Sequence, residues 1–392
     1  QGPISPFFNE LASEILKQNL VSVYKLQFCY SDQLWWNHEL IKYKGEQKLF
    51  DSFIISIIKK HGITDIVLLG ENRPYHKIAI KEAKLLGCNV WTFEEGYLRP
   101  NTITLALNAK VNGNGKKISF DKSEGNLSLD EILNVDNSLL TRLRWDFFYH
   151  ILNFLYKYKF PHYRHHRPAN VWKEYLGWLS RFSKKFFYQD RFVLNKKVKL
   201  TKANKYFLVP LQLSHDYQII MNSRYNNILE MIDEVIESYS RSVSDDTMLV
   251  FKVHPLDTFV INPIKHIKSV LRNVDKRERV LIIDGGNLDI LIEEALAIVT
   301  VNSTVGLASL IKGKATYVLG DAVYNIPRLV QNDDLDSFWS EYKAPCYEDV
   351  NILCDYLIRE FLFNGSFYSL EGIKMLVPEV SSYMLKKERG LD

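Results

Sequence analysis

The stretch TDIVLLGENRPYHKIAIKEAKLLGCNVWTF, residues 64–93, decides the fold. TDIVLLG is an apolar run that stops at Gly70, the pattern of a buried strand. YHKIAIKEAKLLG has helical spacing and is closed by Gly87. CNVWTF is a second strand. Upstream, LVSVYKLQF (20–28) reads as a strand and KLFDSFIISIIKKHG (48–62) as an amphipathic helix closed by Gly62. Strands and helices alternating at this spacing predict a parallel sheet with helices on both faces. The opening QGPISPFFNELASEILKQ (1–18) reads as a loop entering a helix, and the pattern expects a strand ahead of it.

The alternation returns in the second half. KYFLVPLQL (205–213), TMLVFKV (247–253), VLIID (280–284), AIVTV (297–301) and ATYVLG (315–320) read as strands. YNNILEMIDEVIESYSR (225–241), LDILIEEAL (288–296) and STVGLASLIKG (303–313) read as helices. Residues 128–200 are rich in aromatic and basic side chains and predict two or three helices broken at Pro161 and Pro168. Residues 348–386 predict helices. The expected class is α/β and GT-B-like: two Rossmann-type doubly wound parallel-sheet domains facing a cleft, with an inserted helical basic-aromatic region. The expected boundaries are 1–140 for an acceptor-side domain, 141–200 for the membrane-facing linker, 201–345 for a donor-binding domain and 346–392 for C-terminal helices. Fold analogy alone assigns no chemistry.

Composition narrows the class. The 392 residues are too many for one ordinary core. A hydrophobic content of 46% with 24% charged residues is that of a soluble globular chain. Net charge is only +4, which argues against a polyanion-binding tail, and no nucleic-acid partner is expected. No apolar run is long enough to span a bilayer, and the opening lacks the basic-then-apolar pattern of a signal peptide. Cys29, Cys88, Cys346 and Cys354 lack metal-ligand spacing and fit a reducing cytoplasm. There is no P-loop, GNGK at 113–116 is read as a turn, and no metal is expected.

Five stretches carry the chemistry. In KVHPLDT (252–258), Pro255 fixes the direction of His254 at a strand's carboxyl end, with Lys252 on the same face. Alone, such a His holds a loop; with Lys252 it can neutralise a phosphate. In VNSTVGLASL, Asn302, Ser303 and Thr304 open a helix, either as a plain cap or as an anion site. In FEEGYLRPNTITL, Glu94 and Glu95 end a first-domain strand, as a solvated turn or as an acid/base pair. Arg73, His76 and Arg99 would add positive charge there for an anionic acceptor. In LVPLQLSHDYQI, Asp216 stands between His215 and a helix, with Gln212 nearby, as a nucleophile or as a cap. In FPHYRHHRPANVW, Arg164, His165, His166 and Arg167 suit an anionic membrane surface or a plain solvated face.

Taken together and in order, QGPISPFF, GENRPYHKIA, FEEGYLRPNTIT, FPHYRHHR, QLSHDYQI, KVHPLD and VNSTVGLASLIKGK resemble the KpsS/LipB family of bacterial capsule polysaccharide biosynthesis proteins, from residue 1 to about 330. The resemblance implies a retaining β-Kdo transferase, peripheral on the cytoplasmic face of the inner membrane. The donor would be CMP-Kdo, with no cofactor beyond it. The acceptor would be lysophosphatidylglycerol, and the product the first unit of a poly-Kdo capsule linker. A KpsC-type transferase and a capsule export complex would be partners. Family proteins begin with a short strand ahead of QGP.

Carried onto these residues, Asp216 would be the nucleophile, and Glu95, with Glu94 second, the proton acceptor. Gln212, Lys252, His254, Pro255, Asn302, Ser303 and Thr304 would bind the donor. The motifs EEG, HP and ST also resemble those of inverting, CMP-sialic-acid-dependent sialyltransferases. That is one alternative; a non-catalytic lipid-binding assembly protein is the other.

Overall fold

The computed structural model describes residues 2–17, 21–108, 118, 120, 132–135, 139–165, 171–187, 205–213, 216–243, 246–275 and 277–388. In chain order the elements are α1 (Phe7–Leu16), β1 (Tyr24–Gln27), β2 (Glu39–Lys42), α2 (Phe50–His61), β3 (Asp65–Leu69), α3 (Pro74–Leu85), β4 (Asn89–Glu95), β5 (Thr102–Leu107) and α4 (Leu139–Leu155). Then come α5 (Val171–Phe187), β6 (Tyr206–Pro210), α6 (Tyr217–Met221), α7 (Ile228–Ser242), β7 (Met248–Lys252), α8 (Pro263–Val270), β8 (Val280–Ile283), α9 (Leu288–Glu294), β9 (Ala297–Thr300), α10 (Thr304–Ile311) and β10 (Ala315–Val318). The chain closes with α11 (Leu335–Glu341), α12 (Tyr347–Glu360), β11 (Leu362–Asn364) and α13 (Leu370–Glu388). It forms two compact α/β units. The first comprises residues 1–111, 125–166 and 355–392, the second 112–124 and 167–354.

The second unit carries a five-stranded sheet in the order β10-β9-β6-β7-β8, every pair parallel. All five strands are buried along their whole length, which is why they read as continuous apolar runs. Alternate residues serve opposite faces. Phe207, Val209, Leu249 and Phe251 pack with α7 side chains such as Ile232 and Ile236, while Leu208, Val250 and Ile298 pack with Leu291 and Ile292 of α9.

The first unit is also α/β, but its main sheet is mixed. Its order is β11-β5-β4-β3, with β3 and β4 parallel and β5 and β11 antiparallel to their neighbours. The physical reason is connection length. Only residues 96–101 join β4 to β5, too few for the crossover that a parallel partner needs. The Gly96 N–H closes this turn onto the Thr102 carbonyl at 3.0 Å. Strands β1 and β2 form a separate parallel pair. One face of the four-stranded sheet is covered by α2 and α3, through Ile54, Ile58, Ala79 and Ala83. The other is covered by α1 and the returning α13, through Phe7, Leu11, Leu376 and Val380. Gly62 and Gly87 end α2 and α3 with φ of +59° and +75°, the left-handed turns that their positions predict.

Within the basic-aromatic stretch, Leu139–Leu155 (α4) and Val171–Phe187 (α5) are helical, and residues 160–165 are turn and irregular backbone. Pro168, His166, Arg167, His215 and residues 113–116 lie outside the described residues. No helix among the described residues is long and apolar enough to cross a membrane.

Candidate functional site

In the second unit, the strand order reverses between β6 and β9, and the residues just past those two strands are tied together. Gln212 donates through Nε2 to Asn302 Oδ1 at 2.9 Å and to Asp216 Oδ2 at 3.3 Å. The Asn302 backbone N–H returns a bond to Gln212 Oε1 at 3.3 Å. Asn302 Nδ2 donates to the Gln218 carbonyl at 2.9 Å. These bonds sit at the switch point of a doubly wound sheet, the place where α/β folds hold ligands.

Asp216 is the N-cap of α6, accepting the Gln218 N–H on Oδ1 at 2.9 Å. The cap half of its two sequence readings is thus realised, and Oδ2 is the oxygen that faces Gln212. Ser303 caps α10 through the Val305 N–H at 3.2 Å. Thr304 is the first residue of that helix. The α10 start is braced by a residue the sequence reading missed: the fully buried Tyr324 donates its hydroxyl to the Ser303 carbonyl. Its ring lies where a side chain on Gly306 would be. The glycine inside STVGLASL was the available signal.

On the neighbouring strand, Lys252 is the buried last residue of β7, paired with Pro210 of β6 and Ile283 of β8. His254 follows two residues on, and its Nδ1 accepts the Leu256 N–H at 3.1 Å. That bond puts the proton of a neutral ring on Nε2, making Nε2 a donor suited to an anion. Pro255 itself is exposed. The loop is held from α5. Trp178 donates to the Leu256 carbonyl at 3.2 Å, and a Cβ on Gly177 would stand 2.6 Å from the Thr258 carbonyl. One face of α5 therefore packs on the His254 loop, while Trp172, Leu176 and Leu179 of the same helix are exposed.

In the first unit, Glu94 and Glu95 end β4 and occupy different environments. Glu95 accepts Arg142 at 3.0 Å and Arg99 at 3.2 Å, and Arg142 stacks on Tyr368 with its guanidinium 3.9 Å from the ring centroid. For Glu94, burial pushes the carboxyl up to about 7, with the nearby Arg73 guanidinium opposing and Glu95 adding to the rise. Gly70, at φ +77°, turns the chain close to this carboxylate: a Cβ there would be 3.3 Å from Glu94 Oε1. Arg73 is the N-cap residue of α3 and half-buried.

His76 departs from its expected role. Its Nδ1 bonds the Gly70 carbonyl at 2.6 Å, and burial lowers its pKa well below the usual histidine value. A neutral, buried ring adds no positive charge for an acceptor. Arg99 is exposed and shared between Glu95 and the Gly96 carbonyl, the latter at 3.2 Å. Arg164 is exposed, whereas His165 packs edge-on against His150 at 5.2 Å between centroids. Among the described residues, no cluster of His, Cys, Asp and Glu could hold a metal ion.

The chain matches the family described as capsule polysaccharide biosynthesis protein over residues 64–368. It is 30% identical to the capsule polysaccharide export protein KpsS of Escherichia coli, over 94% of this chain and 95% of that protein. It is 29% identical to the capsule polysaccharide modification protein LipB of Neisseria meningitidis serogroup B, over 94% and 90% of the two chains. Among solved structures, a β-Kdo 2,7 transferase, KpsC of Thermosulfurimonas dismutans, aligns at TM-score 0.45 and 15% identity, covering 94% of this chain and all of that one.

Proposed function

The chain belongs to the capsule polysaccharide biosynthesis family, and from that premise we propose that it transfers Kdo from CMP-Kdo to a lysophosphatidylglycerol acceptor, with retention, as the first step of a capsule linker. The observation that carries this reading is the bonded group Gln212–Asp216–Asn302 at the switch point, beside the Ser303-capped helix start and His254. It offers a carboxylate oxygen next to a ready anion site, which is what displacing CMP from the anomeric carbon of a CMP-activated sugar requires.

The proposed steps balance as two displacements. Asp216 Oδ2 attacks the anomeric carbon, that carbon's bond to the phosphate oxygen breaks, and CMP leaves with the electron pair. Lys252, His254 Nε2–H and the α10 N-terminus offset the charge on the phosphate. The acceptor hydroxyl then displaces Asp216, and its proton passes to a carboxylate. Of the two first-unit carboxylates, Glu94 suits that task better than Glu95. A base is most effective with a pKa near the working pH, whereas Glu95 is engaged by two arginines. This reverses the preference drawn from sequence. The proposed location is the cytoplasmic face of the inner membrane, with exposed Arg164 towards anionic headgroups.

The test is a mass-spectrometric assay with CMP-Kdo generated in situ, a fluorescent lysophosphatidylglycerol, and CMP-sialic acid in parallel. Addition of one Kdo, lost in Asp216→Asn, supports the proposal. Transfer from CMP-sialic acid alone moves the reading to a sialyltransferase. Lipid binding with no transfer from either donor leaves an assembly protein.

A further inference from the structure

At the switch point of the second unit, two side-chain amides are bonded so that neither has an N–H left to offer a ligand. Gln212 is buried and uses its whole amide. Its Oε1 accepts the Asn302 backbone N–H, and its Nε2 serves Asn302 Oδ1 and Asp216 Oδ2. The reverse orientation would set Oε1 against two acceptor oxygens, so the neighbours fix this amide one way round. Asn302 is fixed in turn. Its Nδ2 faces the carbonyls of Gln218 and Asn222, at 2.9 and 3.5 Å, and a carbonyl can only accept. The Asn222 carbonyl is itself held by the Asp321 N–H at 2.6 Å, beside Gly320, where a Cβ would stand 2.7 Å from it. Control runs from the backbone at the end of α6, through Asn302 and Gln212, to one oxygen of Asp216. The other oxygen, Oδ1, is taken by the Gln218 N–H of the cap.

We infer that Gln212 is a catalytic residue of the double displacement, donating to Asp216 Oδ2 as that oxygen leaves, and that Asn302 is the positioning residue that aims it. Neither then binds the donor, the role that the family resemblance implied for them. This rests on the reading of Asp216 as the nucleophile. In the adduct, Oδ2 is bonded to the anomeric carbon and is a poor acceptor. In the second displacement the acceptor oxygen forms its bond to that carbon and the bond from Oδ2 to that carbon breaks. The electron pair returns to Oδ2, and the acceptor's proton passes to a base. Charge thus grows on the atom that faces the Gln212 N–H, and a hydrogen bond to an ionised oxygen is about twice as strong as one to a neutral oxygen. The bond is stronger in the transition state than in the adduct, which is the condition for catalysis. In the first displacement the same oxygen gives up charge. Losing the N–H there frees the carboxylate but loosens its aim, and the two effects oppose. The two steps should therefore respond unequally.

Single-turnover intact-mass spectrometry on the full chain separates them. CMP-Kdo generated in situ loads the enzyme, and lysophosphatidylglycerol is then added to discharge it. Gln212→Met keeps the side chain's length but has no N–H. It is compared with Asn302→Leu, the double variant and the wild type, with a melting curve and CMP affinity for each. Gln212→Met is expected to slow discharge by about ten- to a hundredfold, to load within about threefold of the wild-type rate and to bind CMP within about twofold. Asn302→Leu should slow discharge less, and it tests the same step from a second position should Gln212→Met not fold. The double variant should discharge no more slowly than Gln212→Met, because Asn302 acts through Gln212. Equal slowing of both steps overturns the inference, as does a loss of CMP affinity that matches the loss of turnover. Additive losses in the double variant overturn the part given to Asn302. A wild type that neither loads nor transfers overturns the reading of function, and this inference with it. A wild type that does both, beside variants that discharge normally, overturns this inference alone.

Discussion

The second unit's five-stranded sheet is parallel throughout, whereas the first unit's four-stranded sheet is mixed. In the second unit, β6 supplies both the sheet's centre and Gln212 at its carboxyl end, so the backbone order and the site's hydrogen bonds come from the same element. In the first, β4 pairs antiparallel with β5, and the carboxylates at its end are governed by burial and arginines. One unit builds its candidate site by bonded geometry, the other by electrostatics. Substitutions in the two should therefore fail in different ways.

The largest effect is expected at Asp216. Asn caps a helix about as well as Asp, so Asp216→Asn should keep α6 and the fold while transfer falls by about a thousandfold or more. An unchanged melting curve with lost turnover is the expected pair of readings. Retained turnover would remove Asp216 from the chemistry.

Next is Glu94→Gln, expected to lower transfer by about a hundredfold. As a proton acceptor Glu94 must be ionised, so wild-type activity should rise with pH through about 7. Arg73 holds the ionised form down in pKa, so Arg73→Gln should move that limb to higher pH. Stability carries the opposite sign. The folded carboxyl, raised from an ordinary 4.5 to about 7, binds its proton more tightly than the unfolded one. Stability should fall as pH rises across that window, and Glu94→Gln should remove that part of the slope. A pH profile unchanged in both variants would leave the first unit without its base.

Gly306→Ala should strike the second unit's geometry. The added Cβ collides with the Tyr324 ring and should destabilise the fold by about 1–3 kcal/mol, read as a lower Tm, with weaker donor binding. The smallest effect is expected from Arg164→Glu. Binding to anionic vesicles should weaken by about tenfold, with turnover on a soluble acceptor unchanged. Unaltered vesicle binding would rule out Arg164 as a headgroup contact.

Much of this was legible in the sequence where one local rule governs. Runs such as YFLVP and MLVFK are buried on both faces and could be read as strands without any partner in view. Gly62 and Gly87 marked helix ends because left-handed backbone favours glycine. β2, β5 and β11 were missed. β2 and β11 are only four and three residues long, and β11 meets β5 from the far end of the chain. Composition offered the basic-aromatic stretch as a membrane or solvated face, and it gave no sign that Trp178 and Gly177 hold the His254 loop. Composition reports side-chain type, not what a helix packs against.

The sequence by itself determined the alternating α/β plan, the strand ends that carry Glu94, Asp216, His254 and Ser303, and the family. These depend on periodicity and on residues close together in the chain. Tertiary structure alone decided that Gln212 bonds Asn302, that Tyr324 braces Ser303, and that His76 is buried and neutral. Each of those depends on groups far apart in sequence meeting where water is excluded, and there pairing and burial set the energy of a side chain.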